Sequence, residues 1–197
     1  MADDPILERH AAALVGGPPE PAAIVIADHD AEWEVRFAQH DASIRRALGD
    51  AAVAVEHIGS TSVPGLAAKP IIDILLVVEQ SADESTYVPQ LEAAGYALRI
   101  REPDFEEHRL LRPDDKGAHV HVLSVGSVEI DRYLLFRDRL RAYPDERATY
   151  EATKRALAAQ PWPTTQHYAD AKSDVVEAII ARAREARDRQ GDGPPRS

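Results

Sequence analysis

Two periods of hydrophobic spacing alternate along this chain and divide it into helices and strands. Between Glu32 and Leu48, apolar residues such as Val35, Phe37 and Ile44 are interspersed with charged ones, which predicts an amphipathic helix. Residues 88–95 predict a second helix, which ends at a glycine. Short apolar or alternating segments predict strands at 52–58, 70–78, 96–101 and 119–125, after a strand or extended entry at 23–29.

From Ile130 onward the pattern is helical. Three segments follow one another, at 130–143, 145–160 and 167–186. Strands interleaved with helices and followed by a helical C-terminal portion predict an α/β or α+β fold.

Breaker residues divide the chain into three parts. The sequence GGPPEP at 16–21 ends a short N-terminal helix, so residues 1–21 are predicted to be a helix with a Pro/Gly tether. Residues 22–185 then form a single domain, for which the chain length is adequate. The polar, Pro/Gly-rich residues 186–197 predict a disordered tail.

The charge and composition restrict the classes of partner. With 23 basic and 34 acidic residues the formal net charge is -11, which disfavours nucleic-acid binding but leaves room for a small anionic ligand in a local basic pocket. The absence of cysteine excludes disulfides, thiolate zinc sites and cysteine nucleophiles. The longest apolar run, 74–78, is too short to cross a membrane, and the acidic N-terminus resembles no export signal, so a cytoplasmic location is predicted.

One segment combines the residues of a phosphate and metal site. Asp73 stands alone in a buried apolar strand, where a charge is costly unless it is paired or used. Upstream, the Gly59-Ser60-Thr61 turn offers hydroxyls and backbone amides to phosphate oxygens, and Lys69 offers a positive charge. The alternatives are an ordinary Gly-Ser turn, a carboxylate that only holds a loop, and a solvated lysine.

The stretch EHIGSTSVPGLAAKPIIDILL closely resembles the signature of the GrpB family. DAEWEVRF, HVHVLSVGS and the C-terminal helices also resemble that family, so the resemblance covers about residues 23–182. It implies a nucleotidyltransferase-like mixed sheet flanked by helices. In active members of that superfamily a Gly-Ser turn precedes a strand with two acids one position apart, and a neighbouring strand adds a third. These acids hold divalent metal while a nucleoside monophosphate is transferred.

This chain departs from that pattern at two places. The second acid position is Leu75, and the strand expected to carry the third acid has His119 and His121 instead. Residues at i and i+2 share a strand face, so both imidazoles are predicted to join Asp73 in a divalent metal site. Zinc and manganese suit these ligands better than magnesium. His57 is a further candidate ligand, and the alternative is a polar edge strand.

The C-terminal helices supply a candidate anion clamp. Tyr150 and Lys154 are spaced i, i+4, as are Tyr168 and Lys172, so each pair shares a helix face. A buried ring beside a solvated amine is the simpler alternative. The predicted clamp consists of Lys69, Arg137, Lys154 and Lys172.

These residues predict a protein that binds a nucleotide or another phosphorylated small molecule, with metal-dependent nucleotidyl transfer as the reaction. Asp73 and Ser60 are the candidate catalytic residues. The alternative is a ligand-binding or regulatory module without turnover, which Leu75 favours; similar domains also occur joined to dephospho-CoA kinase. Hydrolase or transferase chemistry at a single His/Asp metal is a third hypothesis. The sequence predicts no oligomeric state.

Overall fold

A mixed sheet of five strands organises the part of the chain that the structure, a computed structural model, describes, namely residues 4–15 and 24–191. The strands are β1 (Ala54–Ile58), β2 (Ile72–Val78), β3 (Tyr96–Glu102), β4 (His108–Pro113) and β5 (Ala118–Ser124). The helices are α1 (Pro5–Ala13), α2 (Glu32–Leu48), α3 (Val88–Ala93), α4 (Val128–Ala142), α5 (Pro144–Ala158), α6 (Thr165–Asp170) and α7 (Ser173–Gly191).

The strand order is β1-β2-β5-β4-β3, and the central pair β2–β5 is parallel while the other pairs are antiparallel. The β-branched and leucine-rich β2 is buried on both faces, as a central strand requires. The register of the parallel pair sets Asp73 opposite His119 and Leu75 opposite His121. The start of β2 therefore lies beside the two histidines of β5.

Helices cover both faces of the sheet. On one face, Ile74 and Leu76 pack with Ile44 of α2 and Leu91 of α3 in the larger hydrophobic core. On the other face, a second core unites Leu75 with neighbours that include Tyr133 and Leu134 of α4. The predicted α+β class, with a mixed sheet flanked by helices and a helical C-terminal portion, is confirmed. Among the described residues, no helix is both long and apolar enough to span a membrane.

The sequence does not predict strand β4, because charged residues interrupt its apolar pattern. Arg109 is nevertheless buried, and its Nε donates to Glu84 Oε1 at 2.7 Å. Since β4 pairs with β5, the His-x-His strand is internal to the sheet and is not an edge strand.

The terminal segments also differ in detail from the prediction. The last predicted helix is divided at Ala171 and Lys172 into α6 and α7, and α7 continues to Gly191, within the segment assigned to the tail. Helix α1 docks through the bridge between Leu14 and Ile100 and through Asp4, whose Oδ2 lies 2.9 Å from His167 Nε2 of α6. The predicted tether at 16–21 and residues 192–197 lie outside the described residues.

The second core makes a testable contribution to stability. Leu75 is fully buried, so Leu75→Ala removes apolar contacts and leaves a cavity, and we expect the free energy of unfolding to fall by about 2 to 5 kcal/mol. Val35→Ala, at a side chain that is 48% exposed, is the control and should change it by less than about 0.5 kcal/mol. Urea denaturation measures both, and equal effects would contradict this account of the core.

Candidate metal and anion site

Asp73, His119 and His121 converge on one face of the central strand pair. Asp73 Oδ1 lies 3.3 Å from His119 Nδ1 and 3.7 Å from His121 Nε2. One candidate ligand atom from each residue lies within 4.8 Å of the others, and all three side chains are half-buried. The i, i+2 spacing on β5 and the parallel register therefore bring the three predicted metal ligands together.

Asp73 is held as a carboxylate. Burial on its own raises the pKa of Asp73, but the two imidazoles beside it, chiefly that of His119 with Nδ1 3.3 Å from Oδ1, outweigh that effect and hold the pKa well below its usual range. A carboxylate next to two imidazoles is a donor set for a transition-metal cation.

Gly59 allows the turn after β1 to approach Asp73. Its φ is +68°, and a Cβ atom at this position would lie 2.3 Å from Asp73 Oδ2 and 2.9 Å from Asp73 Cβ. The glycine is therefore required twice, for its left-handed backbone and for the space above the carboxylate.

Two neighbouring positions do not contribute ligands. His57 points to the opposite face of the sheet, where it stacks on Phe37 at a centroid distance of 4.6 Å and its Nε2 lies 3.0 Å from Thr61 Oγ1. Burial lowers the pKa of His57 to about 4, so this imidazole is neutral. Leu75 lies on the same face as Asp73 but is enclosed in the second core. The predicted contribution of His57 to the metal site is thus not supported by its position.

The hydroxyl groups of the Gly-Ser turn differ in their hydrogen-bond partners. Ser60, Thr61 and Gly59 all line the cavity described below, and Ser60 begins the single 3₁₀ turn Ser60–Ser62. The Thr61 hydroxyl is engaged internally, since it donates to the Ile71 carbonyl at 3.3 Å. The Ser60 hydroxyl faces the cavity and hydrogen bonds with Tyr150, whose own pKa is raised by burial.

A cavity of about 510 Å³ opens beside this cluster. Its floor is the sheet face that carries Asp73, and its walls come from α1, α4 and the C-terminal helices. Six Lys or Arg side chains and a single carboxylate, that of Asp73, line it among the described residues. The six are Lys69, Arg99, Arg112, Arg132, Lys154 and Lys172. A protein with a net charge of -11 therefore encloses a basic cavity.

Two buried polar atoms without partners belong to residues that line this cavity. Arg112 Nε and Tyr168 Oη are the buried side-chain atoms of the described residues that lack any hydrogen-bond partner, and both residues line the cavity. An unsatisfied buried polar group costs about 1 to 3 kcal/mol, which a ligand or an ordered water that reached these atoms would offset.

The four predicted clamp residues divide into two groups. Lys69, Lys154 and Lys172 line the cavity, and Lys154 and Lys172 lie over the rings of Tyr150 and Tyr168 with Nζ 4.8 Å and 4.5 Å from the centroids. Both Tyr-Lys pairs therefore point inward.

Arg137 does not line the cavity, which corrects its predicted place in the clamp. Its guanidinium is committed to Glu56 at 2.8 Å, Asp138 at 2.7 Å and the His57 carbonyl at 3.2 Å. Arg99 and Arg112 were missed in its place, as was Arg132, although the guanidinium of Arg132 is paired with Glu129 at 3.1 Å and also with Glu177. Arg112 belongs to the unpredicted strand β4, and no local pattern reveals that the other two face the cavity.

Comparisons with known proteins agree with the signature. The family model described as GrpB protein matches residues 23–182, which include the site and most of the described chain. This chain belongs to the GrpB family. A UPF0157 protein of Halalkalibacterium halodurans is 54% identical over 165 residues, covering 84% of this chain and 85% of that protein.

Solved structures extend the comparison to the fold. The crystal structure of the conserved protein GrpB from Enterococcus faecalis is similar with a TM-score of 0.73 and 33% identity, over 81% of this chain and 96% of that one. The Cid1 poly(U) polymerase, an H336N mutant bound to MgATP, is similar over 66% of this chain and 45% of its own, with 14% identity and a TM-score of 0.42.

The role of Gly59 can be separated from ordinary backbone strain. Gly65 also has a positive φ, +76°, but a Cβ there would meet nothing within 4 Å. We expect Gly65→Ala to lower the free energy of unfolding by about 1 to 2 kcal/mol, and Gly59→Ala to lower it by clearly more, because only the latter collides with Asp73. Thermal and urea denaturation check this, and similar losses would refute the close-approach argument.

Lys154 gives the fold a specific pH dependence. Burial and the nearby charge of Lys172 lower the pKa of Lys154 from its ordinary 10.5 to about 7. Above pH 7 the unfolded chain then binds more protons at this residue than the folded one, so this contribution to stability rises with pH. We expect Lys154→Met to flatten the rise measured by denaturation at pH 7, 8 and 9, whereas Arg184→Met, at an exposed position of α7, should leave it unchanged. An unaltered slope in Lys154→Met would exclude this account.

Proposed function

We propose that this protein binds a nucleotide or another phosphorylated small molecule in the basic cavity, next to a divalent metal held by Asp73, His119 and His121. The proposal rests on one observation: the Asp-His-His cluster lines a cavity that six basic residues also line, in a protein that is acidic as a whole. Such a cavity concentrates a small anion although the outer surface repels polyanions.

The donor set fits a borderline transition metal. One carboxylate and two imidazoles match the preferences of zinc or manganese, whereas magnesium prefers oxygen ligands throughout. A bound metal would neutralise phosphate charge and polarise the phosphoryl group. With three protein ligands, coordination positions remain for oxygens of the ligand.

Separate residues support the anionic part of the ligand. The Ser60 hydroxyl, with the turn amides of residues 59–61, is placed to hold a phosphate oxygen. Lys69 and Lys172 both lie close enough to Asp73 to interact with its charge, so they flank the metal site. Arg112 and Tyr168 also line the cavity, and each has one buried polar atom without a partner.

Two functions follow from this site. One is metal-dependent nucleotidyl transfer, for which Asp73 and Ser60 would be the catalytic residues. The other is a binding or regulatory module without turnover. Position 75 favours the second function, because it has a buried leucine where two-metal transfer would require a second acid. Release of pyrophosphate from a triphosphate distinguishes the two.

We expect the purified protein to contain or bind zinc or manganese, and Asp73→Asn to lose that metal. Elemental analysis measures the metal, and thermal melts against nucleoside triphosphates with each metal measure the ligand. A ligand at a hundred times its dissociation constant adds roughly 2.7 kcal/mol to the stability of the folded state. Stabilisation by one ligand should disappear in Asp73→Asn.

Asp50→Asn is the matched control, because Asp50 is exposed and lies outside the cavity lining. It should keep both metal and ligand binding. Unchanged metal affinity in Asp73→Asn would overturn the metal site. Metal binding without stabilisation by any phosphorylated compound would overturn the ligand class while leaving the metal site intact.

A further inference from the structure

A chain of hydrogen bonds leads from His121 of the proposed metal site to a further histidine, His108, and from there to Glu102. His108 Nε2 lies 3.1 Å from His121 Nδ1, and His108 Nδ1 lies 2.7 Å from Glu102 Oε2. The His108 ring is buried and stacks beside that of His121, with centroids 5.2 Å apart. Neither Glu102 nor His108 belongs to a motif that is visible in the sequence.

The chemistry of these atoms fixes the direction of the hydrogen bonds. An ionised carboxylate only accepts, so His108 Nδ1 must donate to Glu102. When both rings are neutral, His108 has no proton on Nε2, which then accepts the Nδ1 proton of His121. His121 in turn has no proton on Nε2, the atom that faces Asp73.

That arrangement leaves two lone pairs facing each other. His121 Nε2 and Asp73 Oδ1 are 3.7 Å apart, longer than a hydrogen bond, and with this tautomer neither atom can donate to the other. A cation between them would bind to both. The orientation of the imidazole is therefore suited to a metal ion before any ion arrives.

We propose that Glu102, acting through His108, is a positioning residue that holds the His121 Nε2 lone pair toward Asp73. This rests on the proposed metal site and deepens it, because a fixed imidazole lone pair favours zinc and similar nitrogen-binding cations over magnesium. Partners of this kind beyond the metal ligands commonly change metal affinity by 10- to 100-fold.

The scaffold holds the three residues on adjacent strands. Glu102 and His108 pair at the end of the β3–β4 hairpin, and His121 on β5 lies opposite Leu110 of β4. The hairpin turn is anchored, since the Ser81 hydroxyl donates to the Glu107 carbonyl at 2.8 Å. Residues on paired strands keep their spacing more precisely than residues on loops.

The tautomer of His121 can be measured without metal. Long-range ¹H–¹⁵N NMR spectra of the metal-free protein should show His121 protonated on Nδ1. In His108→Phe the acceptor is lost, so His121 should shift toward protonation on Nε2, which can then donate to Asp73. His108→Gln supplies one donor and one acceptor and should retain the wild-type tautomer. A wild-type His121 protonated on Nε2 would overturn the proposal.

The same variants should separate in their affinity for Zn²⁺ alone, measured by competition with a chelator. We expect His108→Phe to bind Zn²⁺ 10- to 100-fold more weakly and His108→Gln to stay close to wild type. His40→Phe is the control, because it removes another half-buried imidazole, bonded to the Tyr96 hydroxyl at 2.8 Å. Equal zinc affinity in all four proteins would show that Glu102 and His108 position nothing.

A second variant covers the case in which His108→Phe does not fold. Glu102 is only partly buried, so Glu102→Leu should fold, and it removes the acceptor for His108 Nδ1. It should shift the same tautomer and weaken zinc in the same direction, and wild-type behaviour in both measurements would overturn the proposal. If wild type binds no transition metal, the proposed function fails, whereas the tautomer result still tests the positioning by itself.

Discussion

The parallel pairing of β2 with β5 is the constraint on which the rest of the site depends. It places Asp73 opposite His119 and one pleat from His121, so the carboxylate has polar partners on the strand next to it. A buried carboxylate without such partners would be costly. The turn at Gly59 can then close over the carboxylate only because it has no side chain. The same two strands, β2 and β5, therefore supply residues to the core and determine the geometry of the candidate site.

The same sheet face changes from polar to apolar within a few residues. Asp73 and His121 lie at the cavity, while Leu75, Val77 and Leu123 continue the face beneath α4. A second acid at position 75 would be enclosed by this core and would lack water. A leucine at position 75 and imidazoles at positions 119 and 121 therefore agree with the proposed site, in which one cation would be held by nitrogen and oxygen ligands.

The sequence was sufficient where a function depends on local spacing. The i, i+2 histidines, the glycine before Ser60 and the Tyr-Lys pairs all lie where their spacing placed them. The sequence was insufficient where contacts between distant parts of the chain determine the position of a side chain. Strand β4 is interrupted by Arg109, whose burial depends on Glu84 far along the chain, so Arg112 and His108 could not be assigned to the site. The prediction for Arg137 was wrong for a related reason, since only the folded chain shows that its guanidinium is paired with Glu56.

The contrast between the outer charge and the cavity limits what can bind. A polyanion must contact an extended surface, and here the surface belongs to a protein of net charge -11. The cavity of about 510 Å³ is within the usual range for small-molecule sites, and it is lined by Lys69 and Lys172, whose pKa values burial lowers. The contrast between an acidic exterior and a basic cavity is the reason why the proposed ligand is a phosphorylated small molecule and not a nucleic acid.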